Sequence, residues 1–100
     1  MMKHKETKAT EIPIKVKLKV RERDGGRCII CGAPGLPEAH FIRRSRGGLG
    51  IEQNIITLCR PCHYEFDEGK KHKEYTERIR EYLDRFYPGF NDYDRIYHKY

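Results

Sequence analysis

The sequence predicts a small α+β domain built on a four-cysteine metal frame. Three observations point there. Cys28 and Cys31 form one Cys-x-x-Cys pair, and Cys59 and Cys62 form a second. Each pair can curl two thiolates toward a common point, and four thiolates satisfy tetrahedral Zn²⁺. Residues 38–42 are a short strand candidate, and the β-branched, apolar run at 55–58 reads as a second strand. Segments with helical punctuation flank this central part. At 100 residues the chain makes one domain, and with 37% hydrophobic and 36% charged residues its core is small. A thin core of this size calls for a staple, which the cysteines supply as a metal site or as disulfides.

The elements follow in order. Residues 1–10 are polar, with three lysines and no apolar period, and read as a flexible basic tail. Next, Ile14, Val16, Leu18 and Val20 alternate with Lys15, Lys17, Lys19 and Arg21. The alternation suits a strand, but Pro13 suits a helix start and Asp24-Gly25-Gly26 a helix stop. A helix over 13–23 is the expectation. Residues 24–38 form loop and knuckle. Glu38–Ile42 is the first strand, Arg43–Gly50 a basic glycine-rich loop, and Ile55–Leu58 the second strand. Pro61 fits a first helical position, with Gly69 as the stop. From 71 to 86, Tyr75, Ile79, Tyr82, Leu83 and Phe86 recur three and four apart, which predicts an amphipathic helix. Tyr87, Phe90, Tyr93, Ile96, Tyr97 and Tyr100 then make an aromatic tail expected to pack back on the domain or on a partner. The expected organisation is a tail (1–10), a central unit (11–70) and a helix with aromatic tail on the same domain (71–100).

Lys and Arg number 21 against 15 Asp and Glu, a net charge of +6. That excess suits a polyanionic partner, foremost nucleic acid. The start of the sequence has no apolar run of the secretory kind, and no stretch is long enough to span a membrane. A cytoplasmic setting is therefore expected, where paired cysteines favour zinc over disulfides.

In order, Cys28-x-x-Cys31, His40, Gly47-Gly48, Asn54 and Leu58-Cys59-x-x-Cys62-His63 resemble the HNH endonuclease motif, in its zinc-knuckle, small bacteriophage variety. The resemblance spans about residues 13–70. It implies a ββα-metal (treble-clef-like) core and metal-dependent cleavage of DNA phosphodiesters, leaving 5′-phosphate and 3′-hydroxyl ends. It also implies a general base at His40 and a divalent ion, Mg²⁺ or Mn²⁺, on His63. Phosphodiester hydrolysis needs a base to take a proton from the attacking water, and imidazole suits the task because it titrates near neutrality. Asn54 would hold the hairpin and so orient His40. Family members usually carry Asp or His just before the base as a metal ligand. Here that position is Ala39, which has no donor atom. Asp67 stands four residues after His63 on the expected helix, on the same face, and is the candidate second ligand. Arg43, Arg44 and Arg46 flank the Gly-Gly turn as candidates for DNA backbone contacts, with Lys15 and Lys19 further out. One such site cuts one strand, so the chain is expected to act as a monomer or weak dimer. The resemblance further suggests phage DNA-packaging proteins as partners. The competing expectation is a non-catalytic zinc-ribbon module that binds nucleic acid.

Overall fold

A computed structural model describes residues 5–98. Six regular elements run in the order α1 (Lys5–Thr10), α2 (Ile14–Asp24), β1 (Leu36–His40), β2 (Ile55–Leu58), α3 (Arg60–Asp67) and α4 (His72–Phe86). Short 3-10 turns sit at Arg44–Arg46 and Asp92–Arg95. The strands form one antiparallel hairpin, with Ala39 opposite Ile56 and His40 opposite Ile55.

The expected tail is in part a helix. Residues 5–10 form α1 and end on a buried Thr10, and the Gly50 amide donates to the Ala9 carbonyl. Residues 1–4 lie outside the described residues, as does Tyr100.

In α2 the punctuation prevails over the alternation. The Val16 and Lys17 amides bond the Pro13 carbonyl, and Gly25 closes the helix at φ 68°, its N–H donating to Arg21 O. Only one side of α2 is needed for packing. Val20 is fully buried, while Ile14 and Leu18 stay 76% and 62% exposed. The alternating pattern thus arises because half the apolar residues face solvent.

β1 begins and ends two residues earlier than expected. Its register shifts between Leu36 and Ala39, an irregularity that accommodates Pro37. It stops at His40 because the backbone N–H and C=O of Ile42 are both taken by the Asn54 side chain. β2 is buried along its whole length. Ile56 and Leu58 join Ala39, Phe41, Phe66, Tyr75, Ile79 and Leu83 in the core. Ile55 and Thr57 alternate to the other face, where α2 crosses the hairpin.

An ion pair ties these layers together. The Asp24 carboxylate accepts from Arg23 Nε (2.7 Å), the Thr57 amide (3.0 Å) and the Tyr82 hydroxyl (2.7 Å). Arg23 in turn donates to the carbonyls of Glu52 and Ile55. The chain beyond α4 returns to the β1–β2 loop. Leu49 N donates to Arg95 O, and Tyr97 N to Gly47 O. The Arg95 side chain is fully buried between Phe41 and Phe90 and donates to Gln53 O and Asp92 Oδ1. Gly48 lies beneath this strap. A methyl group there would overlap the Ile42 carbonyl, so no larger residue fits.

Candidate active site and metal centres

The two knuckles converge. The four sulfur atoms all lie within 4.8 Å of one another, and Cys31 and Cys59 Sγ are 3.5 Å apart. A disulfide needs about 2.05 Å, and all four cysteines are free thiols. Four sulfurs about 2.3 Å from a common tetrahedral ion stand about 3.8 Å from each other, so the donor set fits a metal ion of the zinc type. Local structure builds the cup: the Cys28 amide donates to Ala33 O, Gly32 N donates to Cys28 O at φ 81°, and Cys59 caps α3. Burial opposes ionisation of the Cys28 thiol, but the backbone amides of Cys59, Cys31 and Ile30 outweigh it and hold the pKa down to about 7. Thiolate is the form that binds metal.

α3 carries His63 and Asp67 away from this frame toward β1. Their side chains meet, with His63 Nε2 2.9 Å from Asp67 Oδ2. Across a cleft of about 310 Å³ stands His40, together with Glu38, Arg43 and Arg44. Ala39 faces the core at 1% exposure. The carboxylate on the cleft side of β1 is Glu38, two residues before His40 and held by Lys17 at 3.2 Å. Period-two spacing was the signal for Glu38, which the motif-based reading passed over.

His40 Nε2 lies 2.8 Å from the Thr10 carbonyl. A carbonyl only accepts, so Nε2 carries the proton, and in the neutral ring Nδ1 keeps its lone pair. Burial pulls the His40 pKa below the ordinary value; the Thr10 carbonyl and Asp67 oppose this, and Arg44 and His63 reinforce it.

The Asn54 side chain bonds Ile42 and Leu49 rather than His40. It is fully buried, accepts from Ile42 N (2.9 Å), and donates to Ile42 O (3.1 Å) and Leu49 O (2.9 Å). Its own carbonyl takes the Phe41 amide. The residue thus pins the chain just beyond His40. Asn54→Ala strands these backbone groups and is expected to cost roughly 2–4 kcal/mol, measurable as a lowered melting midpoint. An unchanged midpoint would show that the pin is dispensable.

The three loop arginines separate. Arg43 and Arg44 line the His40 cleft, Arg43 through a bond to Asp67 O and Arg44 through one to Thr10 Oγ1. Arg46 instead faces a neighbouring cavity, which Arg43 shares. Lys15 and Lys19 are exposed on α2, with Lys19 3.7 Å from Glu52.

A hairpin and a following helix, set on four convergent thiols with paired imidazoles across a cleft, define the ββα-metal class of nuclease domain. Residues 28–74 match the family model described as HNH endonuclease. The family implies binding of DNA. No curated protein matches the chain. Among the described residues, no helix is long and apolar enough to cross a membrane.

Proposed function

We propose that the protein is a metal-dependent DNA endonuclease in which His40 is the general base and His63 and Asp67 hold one divalent ion. The observation that carries this is the Thr10 contact, which fixes the tautomer of His40 opposite the His63–Asp67 pair in a single cleft. The pair also suits the ion. Neighbouring ligands about 2.1 Å from an octahedral Mg²⁺ stand about 3.0 Å apart, close to the 2.9 Å between His63 Nε2 and Asp67 Oδ2. Ala39 offers no donor, so His63 and Asp67 would hold the ion with water in the remaining positions, as Mg²⁺ tolerates. An ion held there would supply charge neutralisation at the scissile phosphate and at the departing 3′ oxygen. The protein's own part is proton handling and positioning. Nδ1 of His40 takes the proton of the attacking water, whose oxygen bonds to phosphorus as the P–O3′ bond breaks. Arg43 and Arg44 hold the flanking phosphates by charge-assisted bonds. Zinc on the four cysteines is structural, since a closed four-thiolate site leaves no position for substrate.

The test is relaxation of supercoiled plasmid to open circle with added Mg²⁺ or Mn²⁺. Binding without nicking under either ion would favour the non-catalytic module.

The pH dependence follows from the environment of His40. A base works when unprotonated, and its pKa lies below the ordinary imidazole value of about 6.5. The nicking rate is therefore expected to rise tenfold per pH unit on the acid side, bend below about 6.5, and stay flat through neutrality. A midpoint above that value contradicts the assignment.

A further inference from the structure

A second cleft adjoins the first. It has a volume of about 510 Å³ and opens between the basic loop and one face of α4. Arg43, Ser45 and Arg46 line it from the loop, and His72, Thr76 and Arg80 from α4. We propose that this cleft holds a phosphate of the DNA strand next to the scissile one, so that the strand runs from His40 past Arg43 onto α4. The direction of the strand rests on the nuclease reading above; the affinity of the cleft for phosphate does not.

Charge and availability support the assignment. Three arginines face the cleft against one lining carboxylate, Asp92. That carboxylate is already bound by Arg80 at 2.7 Å and by Arg95 at 3.2 Å. The Arg46 side chain is exposed and makes no hydrogen bond or ion pair among the described residues. Arg43 spends a single bond on Asp67 O, so most of its donor fork remains free. The wall is also rigid. Arg80 lies over the buried Phe41 ring at 5.0 Å, and His72 stacks on Phe66 with its Nδ1–H donated to Phe66 O at 2.6 Å. Rigid forks bind phosphate with little ordering cost. Thr76 and Arg80 lie beyond the stretch that matches the family model, which ends at residue 74.

Thr76 offers a clean probe. It is half-buried, its hydroxyl bonds its own helix at His72 O (2.6 Å), and both Glu and Gln are better helix formers than Thr. Thr76→Glu places a negative charge in the cleft, and Thr76→Gln matches its bulk without charge. Binding to a labelled DNA duplex is measured by fluorescence anisotropy across a salt series, with no Mg²⁺ or Mn²⁺ added. Thr76→Glu should bind about tenfold more weakly than Thr76→Gln, and Arg46→Ala should lower the slope of log affinity against log salt by about 1. Equal binding by the two Thr76 variants, or an unchanged slope for Arg46→Ala, overturns the proposal. Plasmid nicking by the wild type, run alongside, separates the two ideas. A binding difference without nicking upholds the phosphate cleft and sinks the hydrolytic reading.

Discussion

His40→Ala is expected to slow plasmid nicking by about 10²–10⁴-fold, the range a positioned general base contributes, while the fold survives. The ring is well placed to act and weakly tied into the structure. Among the described residues its one side-chain hydrogen bond is to the Thr10 carbonyl, and it lines a cleft rather than the core. Its neighbour Ala39, by contrast, is packed in that core. Removing the imidazole therefore forfeits proton transfer and one hydrogen bond, the latter worth about 1 kcal/mol. The informative comparison sets nicking rate beside melting midpoint and duplex affinity. Loss of rate with the other two retained assigns His40 to the chemistry. A variant that nicks within a few-fold of wild type removes His40 from the role of base, whatever else the cleft does.

The second large effect lies in the metal frame. Cys62→Ser, or chelation, is expected to unfold the domain. Structural zinc on four thiolates contributes about 10–16 kcal/mol, against a net stability of about 5–15 kcal/mol for a whole domain. The position of the thiols explains why the loss would be global. They join the 28–31 knuckle to the end of β2 and the first turn of α3. Cys62 is itself buried in the core with Ile56, Phe66 and Tyr75. His63 follows directly, so the cleft that it shares with His40 depends on the same anchor. Helical circular dichroism should collapse on chelation and return when Zn²⁺ is restored. Native-like melting of Cys62→Ser would refute the frame.

What the sequence disclosed, and what it withheld, divides along a physical line. Features written in side-chain type and spacing were readable. The Cys-x-x-Cys pairs fix the frame. Ile55–Leu58 has the apolar run of a buried strand, and the period of Tyr75, Ile79 and Leu83 marks the buried face of α4. Features made by backbone atoms were not readable. The six residues of α1 show no apolar period, yet the carbonyls of Ala9 and Thr10 receive Gly50 N and His40 Nε2. A carbonyl leaves no trace in residue identity. Charged groups that leave solvent were equally opaque. Asp24 reads as a helix stop, but its carboxylate organises three elements. Arg95 sits in the aromatic tail, and one of its aromatic neighbours, Phe41, is far away in sequence. At the site, motif order proposed His40 and His63 and helical spacing proposed Asp67, whereas the Thr10 carbonyl that bonds His40 Nε2 required coordinates.

One feature of the fold governs how the protein can be handled. Segments 9–10 and 95–97 both grip the loop between the strands, at Gly50 on one side and at Gly47 and Leu49 on the other. The arrangement works like a drawstring: tension on either arm is passed to the stretch that seats the cleft. Cargo appended on either side, or a cut between Gly89 and Asp92, would be felt as lost turnover before any loss of the thiol cage.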